Sequence, residues 1–148
     1  MIDYYLKHSQ IETLMSQFNL IDNRPESLLD DIHEKQIKVL ARGPVFKGLL
    51  TSNSNEALDK KFADGIFDYT QDELGETIAS VKEIESNLTA LSFNYLKSHD
   101  ALGSIIVGAS SVEQLEENVK NYYKDVSLDQ IKASRERVKD LQYTQHLK

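Results

Sequence analysis

Short apolar runs and longer segments of helical period alternate along this chain. The runs, rich in β-branched residues, predict strands at 11–19, 37–41 and 104–109. Apolar residues at three- and four-residue steps predict an opening helix and further helices at 27–35, 72–98, 112–123 and 127–142. Strands that alternate with helices favour parallel pairing with right-handed crossovers, so the pattern predicts an α/β fold.

The segment 72–98 carries the longest helical stripe and is predicted to be one helix. Its buried stripe is expected to comprise Ile78, Val81, Ile84, Leu88, Leu91 and Tyr95. The preceding segment, 51–69, is polar with scattered Phe62, Ile66 and Phe67, and it is interpreted as a long loop or a short excursion of the chain. Capping boxes are predicted where Ser or Thr stands three residues before Glu or Gln, at Thr70–Glu73, Ser111–Gln114 and Ser127–Gln130.

The stretch 105–118 predicts a strand, a tight turn at Gly108 and a capped helix. Its strand, Ile105 to Val107, is expected to be covered on both faces, and its helix to turn Leu115, Val119 and Tyr122 inward. Exposed amides at a helix start favour an anion, so this corner is a candidate phosphate site. A well-capped structural helix is the alternative.

A second candidate corner follows the strand 37–41. Its exit contains two bases, Arg42 and Lys47, and two glycines, Gly43 and Gly48. Glycines at a strand end permit close approach of a ligand to the backbone, and bases can neutralise phosphates. An ordinary turn is the alternative.

Three segments together resemble the aldo-keto reductase family. Segment 37–51 resembles the seventh strand and following loop of that family, and 104–118 its eighth strand and coenzyme-binding helix. Segment 15–26 is similar to the sixth strand and its exit. The resemblance implies an α/β partial (β/α)8 TIM barrel with about three parallel strands. Because a whole barrel needs roughly 250 residues, residues 1–148 are expected to form a single partial domain, the C-terminal half of a truncated reductase.

The resemblance also implies a site for a nicotinamide coenzyme, NADPH with NADH possible. Arg42 matches the family position that stacks on the nicotinamide. The loop that follows Arg42 matches the loop that passes over the pyrophosphate. The segment at the start of the helix 112–123 matches the family segment that faces the adenosine. The implied coenzyme-binding residues are Arg42, Gly43, Lys47, Gly48, Leu49, Ala109, Ser110, Ser111, Gln114, Glu117 and Asn118. Two departures stand out: Met15 replaces a common Gln, and the ribose-phosphate segment lacks the frequent Arg.

No catalytic or metal-binding residue is expected in this chain. The family's catalytic Asp, Tyr, Lys and His lie on earlier strands, and no tyrosine here is predicted at a strand's C-terminal end. The histidines, His8, His33, His99 and His146, lack metal-ligand spacing. The implied function is the NADP(H)-binding half of an oxidoreductase that reduces aldehydes or ketones by hydride transfer. The alternatives are a non-catalytic nucleotide-binding or interaction protein that pairs with a separate N-terminal half, and a small enzyme of other chemistry.

The amino-acid composition bears on the partners and the cellular location expected for this chain. The net charge is −7 with scattered bases, which argues against nucleic-acid and anionic-membrane partners. The chain has no cysteine, no membrane-spanning apolar run and no secretory signal, as is typical of a cytoplasmic protein.

Three strands taken from a closed barrel leave two open edges and an uncovered inner face. Apolar residues such as Leu14, Leu40 and Ile106 are expected on that face. The chain is therefore predicted to self-associate.

Overall fold

A three-stranded parallel sheet forms the centre of the molecule, seen in a computed structural model that describes residues 2–143. The strands are β1 (Thr13–Gln17), β2 (Lys38–Arg42) and β3 (Leu102–Ile106), and they lie in that order. Each connection between neighbouring strands passes through helices, as parallel pairing requires. The arrangement is that of a partial (β/α)8 barrel.

Seven helices surround or precede the strands in residues 2–143. They are α1 (Ile2–His8), α2 (Leu29–Glu34), α3 (Ser54–Lys61), α4 (Gln71–Lys82), α5 (Leu88–Lys97), α6 (Val112–Tyr123) and α7 (Leu128–Arg137). Short 3₁₀ turns at Glu26–Leu28 and Phe46–Gly48 lead into α2 and α3. None of the helices in this part of the chain has the length and apolar character needed to cross a lipid bilayer.

The two faces of the sheet differ in burial. Val39 and Ala41 of β2 are buried in the core against the helices. On the opposite face, Met15 is 57% exposed and Ile106 is 40% exposed. Since this second face corresponds to the inside of a barrel, its exposure fits the predicted open inner wall. Leu14, predicted on that face, instead packs against the helix-side core because it alternates with Met15.

The prediction of one long helix over 72–98 was wrong, because the chain breaks between α4 and α5. Asn87 caps α5 by accepting a hydrogen bond from the amide of Ala90, 3.0 Å away. An Asn side chain competes with helical backbone bonding, which explains a new start inside a continuous apolar stripe. Every residue from Leu88 to Leu96 is buried, so α5 is the central helix of the core.

The segment interpreted as a long loop, 51–69, contains the helix α3. Only Ser54 and Ala57 of this helix are buried. Because both residues are small, the helix shows no clear apolar stripe in the sequence. Ser54 is fixed by Lys82 of α4, whose Nζ donates to Ser54 Oγ over 2.6 Å. Tertiary contacts therefore stabilise a helix that the apolar pattern does not signal.

The corner around β3 differs from its prediction in three ways. β3 pairs only with β2 among the described residues, and one of its faces is uncovered, since Ser104 and Ile106 are exposed. Gly108 does not adopt the left-handed conformation that a sharp glycine turn would use. Leu115 and Val119, predicted to face inward, are 53% and 50% exposed, and Tyr122 is exposed as well.

Candidate functional site

A cleft of about 440 Å³ lies between the loop after β2, helix α3 and helix α6. It brings together residues from both corners that the sequence singled out. The predicted site residues that line it are Lys47, Gly48, Gln114, Glu117 and Asn118. The two segments are more than 50 positions apart in the chain, so the fold itself creates this juxtaposition.

The loop from 43 to 51 turns tightly along one side of the cleft. Gly43 and Gly48 have φ angles of +66° and +94°, which favour glycine. Phe46 and Lys47 also have positive φ angles, 45° and 55°. The Phe46 side chain is buried, with its ring centroid 5.2 Å from that of Phe62. Core packing therefore holds a strained backbone in one conformation.

Three buried polar side chains anchor the carbonyl groups of this loop. Asn19 Nδ2 donates to Gly43 O over 2.9 Å. From α5, Ser92 Oγ donates to Pro44 O over 2.6 Å and Thr89 Oγ1 donates to Leu50 O over 3.0 Å. Sequence reasoning missed all three, because a polar residue at the end of a predicted strand (Asn19) or inside a predicted core helix (Thr89 and Ser92) carries no signal of its long-range partner.

The other wall of the cleft begins at the N-terminus of α6. Ser111 Oγ accepts a hydrogen bond from the amide of Gln114 over 3.2 Å. The Gln114 side chain does not return to Ser111; its Oε1 accepts from the amide and the hydroxyl of Ser110, at 2.8 and 2.9 Å. The predicted capping box is thus only half formed, while those at Thr70 and Ser127 are complete. Ala109, Ser110 and Ser111 are exposed beside the cleft.

Lysines give the cleft a positive side. Lys47, Lys60 and Lys61 line it, against two carboxylates, Glu56 and Glu117. Lys60 pairs with Glu56 at 2.7 Å, and Lys61 Nζ donates to Lys47 O over 2.7 Å. Lys60 and Lys61 were missed at the sequence level because their segment was interpreted as a loop; their basic pair is the signal that could have found them.

The remaining predicted residues lie outside the cleft. Arg42 is exposed on the open face of the sheet, in register with Gln17 and Ile106. Leu49 is fully buried in the core and does not line the cleft. Met15 is exposed on the same open face as Gln17, whose Nε2 donates to Asp22 Oδ2 over 2.9 Å. The open face therefore presents Arg42 and Gln17 at the carboxyl ends of β1 and β2.

Beside this strand end the buried Asp22 pairs with the partly exposed Arg24. Arg24 Nε lies 2.7 Å from Asp22 Oδ1, and this bond raises the pKa of Arg24. The Arg24 guanidinium carbon lies 4.3 Å from the ring centroid of Phe67 and 5.1 Å from that of Tyr143. These contacts join three separate segments of the chain at the carboxyl end of β1.

Burial shifts the pKa of two titratable side chains in the core, Tyr95 and His99. Burial raises the pKa of Tyr95 well above its ordinary value of 10.0. Burial lowers the pKa of His99, although the Glu26 carboxylate 3.9 Å away acts in the opposite direction. Within residues 2–143 no cluster of His, Asp and Glu could hold a metal ion, and His146 lies outside the described residues.

Comparisons with known proteins show which family this architecture resembles. The profile of the aldo/keto reductase family matches residues 3–138. An uncharacterized oxidoreductase of Bacillus subtilis, YqkF, is 38% identical over 149 residues, which span 98% of this chain and 49% of that protein. The chain therefore spans about half the length of the curated relative that it matches.

Solved structures agree with the family match. The aldo-keto reductase AKR11C1 from Bacillus halodurans, in its holo form, is 29% identical with a TM-score of 0.83, over 99% of this chain and 49% of that one. A thermostable aldo-keto reductase, Tm1743, shares the fold with a TM-score of 0.63 at 20% identity, over 91% of this chain and 43% of that one. This chain belongs to the aldo-keto reductase family.

Proposed function

We propose that this chain is the coenzyme-binding half of a nicotinamide-dependent oxidoreductase that reduces aldehydes or ketones. Family membership implies a nicotinamide coenzyme. The observation that carries the proposal is the cleft in which the loop after β2 meets the first turns of α6. When bound, the coenzyme would supply hydride to a carbonyl carbon.

The residues around the cleft suit a bound nicotinamide coenzyme. Gly43 and Gly48 let the loop turn without side chains in the way, and three buried side chains hold it in place before any ligand arrives. A loop ordered in advance loses less entropy on binding. The cleft adjoins the N-terminus of α6, where the helix dipole favours an anion, although the Gln114 amide is already bonded to Ser111 Oγ.

NADPH is the proposed coenzyme, in preference to NADH. The segment after β3 lacks the arginine expected beside a ribose phosphate, but α3 contributes Lys60 and Lys61 to the same cleft. Two ammonium groups across from Gln114 and Asn118 would supply the missing positive charge. Arg42 and Gln17, at the strand ends, would face the nicotinamide side.

The chain alone is proposed to lack turnover. At the carboxyl ends of the described strands the open face carries Gln17, Arg42 and Ile106, none of which is a proton donor suited to neutral pH. Tyr69 and Tyr95 are buried in the core, and the Tyr143 hydroxyl lies 3.2 Å from Ser16 Oγ, whose residue alternates with Met15 and Gln17 and so does not share the open face. A non-catalytic nucleotide-binding or interaction protein, paired with a separate N-terminal half, is the second candidate; the exposed apolar side of α6 favours it.

The experiment is a titration of the purified chain with NADPH and with NADH, followed by coenzyme fluorescence, beside a carbonyl-reduction assay on a broad aldehyde. We expect saturable NADPH binding, weaker NADH binding and no turnover. Turnover by the chain alone would refute the claim that catalysis lies elsewhere. Absence of binding by both coenzymes would refute the coenzyme site and leave the interaction protein as the better description.

Self-association is a further part of this proposal. Met15 and Ile106 expose apolar surface on the open face, and β1 and β3 are both edge strands in the described sheet. Exposed edges and apolar faces favour pairing with another chain. Light scattering at micromolar concentration is expected to give a mass above that of one chain, and a monomer there would refute this part.

A further inference from the structure

Helix α6 forms one wall of the cleft, yet apolar packing does little to hold it in place. Its apolar residues Leu115 and Val119 are exposed, whereas its polar residue Asn121 is buried. An amphipathic helix is normally held by burial of its apolar stripe. The element that α6 contacts most is α5, the central helix of the core. The position of this wall therefore depends on how α6 is joined to α5.

Two side chains of α5 bind backbone carbonyl groups at the C-terminal end of α6. Lys97 Nζ donates to Tyr122 O over 2.7 Å. Asn94 Nδ2 donates to Lys124 O over 2.7 Å, just past the end of the helix. These bonds fix where α6 ends, but a backbone carbonyl does not determine which side chains of α6 face the cleft.

The bond between Asn87 and Asn121 joins two side chains and has a fixed direction. Asn87 Nδ2 donates to Asn121 Oδ1 over 2.8 Å. The oxygen of the same amide, Asn87 Oδ1, accepts from the Ala90 amide over 3.0 Å and caps α5. Because the capping atom has to be the oxygen, Asn87 presents its NH2 group to α6, and Asn121 accepts with its own oxygen. Asn121 is buried, so loss of either partner leaves a polar group without water.

Asn121 lies on the same side of α6 as the residues that line the cleft. Gln114, Glu117 and Asn118 line the cleft, and Asn121 follows them at helical spacings of three and four residues. An anchor at Asn121 therefore sets the rotation of α6 about its own axis. The directions of the three cleft side chains follow from that rotation.

The helix that anchors α6 also holds the opposite wall. Thr89 Oγ1 and Ser92 Oγ of α5 donate to carbonyl oxygens of the loop after β2, and Thr89 itself lines the cleft. The N-cap Asn87 stands two residues before Thr89. One buried helix is thus bonded to both walls, so its polar side chains set the distance between them.

We propose that Asn87 and Asn121 are positioning residues of the coenzyme site, which hold the α6 wall at the rotation and at the separation from the loop that the coenzyme requires. The inference rests on the proposed function. A wall placed in advance loses less entropy when the ligand binds. Neither asparagine has to touch the coenzyme for its loss to weaken binding.

Two variants break this bond from opposite partners, so the test remains if one of them fails to fold. Asn121→Leu removes the acceptor at a similar side-chain size. Asn87→Ser keeps a capping oxygen for α5 but removes the NH2 group. Asn121→Asp keeps an acceptor oxygen and is the conservative variant. Ser98→Ala is the control, because Ser98 Oγ donates to Tyr95 O of the same helix and holds neither wall.

Each variant is titrated with NADPH and with adenosine 2′,5′-bisphosphate, under conditions in which circular dichroism shows a folded chain. Asn121→Leu and Asn87→Ser are each expected to lower the affinity for both probes roughly tenfold. The double variant is expected to lose no more than either single variant, because both changes break one bond. Asn121→Asp and Ser98→Ala are expected to bind like the unmodified chain.

Spin labels measure the separation of the walls directly. The chain has no cysteine, so labels attached at Asp59→Cys on α3 and Glu113→Cys on α6 are specific. Both positions are exposed and neither residue lines the cleft. The distribution of label distances is expected to widen or shift in Asn121→Leu and Asn87→Ser and to stay unchanged in Ser98→Ala. A residue needed only for stability would change neither this distribution nor the affinity of the folded chain.

The outcomes separate this inference from the proposed function. Unchanged NADPH affinity in folded Asn121→Leu and Asn87→Ser would overturn the inference alone. Weaker binding with an unchanged distance distribution would also overturn it, because the asparagines would then act without moving the wall. Absence of NADPH binding by the unmodified chain would refute the proposed function and the inference with it.

Discussion

Ser92 Oγ and the carbonyl oxygen of Pro44 lie 2.6 Å apart in the core, and their hydrogen bond joins the central helix α5 to the first turn of the loop after β2. Ser92 is completely buried, so neither group can turn to water instead. The position of the loop is consequently set by the same helix that forms the centre of the core. Loop geometry and core stability are coupled at this bond.

Replacing Ser92 by Ala leaves the Pro44 carbonyl buried without its donor. We expect a loss of about 1–3 kcal/mol in the free energy of unfolding and weaker NADPH binding, because the loop is no longer held in advance. Urea unfolding and coenzyme titration measure the two effects. Ser80→Ala is the control, since Ser80 Oγ bonds only Thr77 O within its own helix. Unchanged coenzyme affinity in Ser92→Ala would contradict the positioning role.

Two glycines in the candidate site allow a matched comparison. Gly48 has a φ of +94°, whereas Gly108 has no left-handed φ and open space around its Cα. Gly48→Ala is expected to cost about 1–2 kcal/mol of stability from backbone strain, although the new Cβ would meet Ala57 at an ordinary 3.7 Å. Gly108→Ala is expected to be neutral in thermal unfolding. Equal melting temperatures for the two variants would show that Gly48 is not strained.

Local patterns predicted the strands and the capped helices well, because both depend on neighbours in sequence. The helix Val112–Tyr123 was predicted with its observed bounds, and the boxes at Thr70 and Ser127 form as expected. The break at Asn87 was missed because a continuous apolar stripe crosses it. The exposure of Leu115 and Val119 was missed for a different reason: periodicity tells which residues share a face and not what that face meets.

The same limit applies to the candidate site. Gly43 and Gly48 marked this strand exit through residue type alone, and in the structure both adopt left-handed backbone conformations, which the sequence analysis had not predicted. Asn19, Thr89 and Ser92 gave no signal, since each bonds a carbonyl at least 24 positions away. Lys60 and Lys61 reach the cleft only because α3 forms, and α3 depends on contacts such as Lys82 to Ser54.

His99 predicts a dependence of stability on pH. Burial lowers its pKa below the ordinary 6.5, so the unfolded chain binds a proton that the folded chain does not. The contribution of His99 to the free energy of unfolding is therefore complete above about pH 6.5, and it is lost as the pH falls toward the pKa of His99 in the folded chain. The charged and titratable groups that act on the ring are Glu26, Arg135, Asp100 and Asp30.

Replacing His99 by Gln removes this titration. Urea unfolding between about pH 5 and pH 7.5, the range below and above an ordinary histidine pKa, is expected to show a shallower loss of stability in His99→Gln than in the unmodified chain. Exposed His33→Gln is the control and is expected to keep the steeper dependence. Parallel curves for His99→Gln and the unmodified chain would assign the pH dependence to other groups.

Lys60 and Lys61 are the predicted determinants of coenzyme selectivity. If their ammonium groups serve the ribose 2′-phosphate, the double variant Lys60→Gln with Lys61→Gln loses affinity for NADPH about tenfold, near 1.4 kcal/mol, and changes little toward NADH, which has no such phosphate. Lys132→Gln, an exposed substitution on α7, removes a positive charge far from the cleft-lining residues and controls for net charge. Salt dependence distinguishes a direct interaction of the lysines with the 2′-phosphate from a supporting role in the loop. In the first case, screening by salt weakens NADPH binding to the unmodified chain more than to the double variant. Equal losses for both coenzymes would mean that the lysines only support the loop through the Lys61 bond to Lys47 O, and that selectivity has another source.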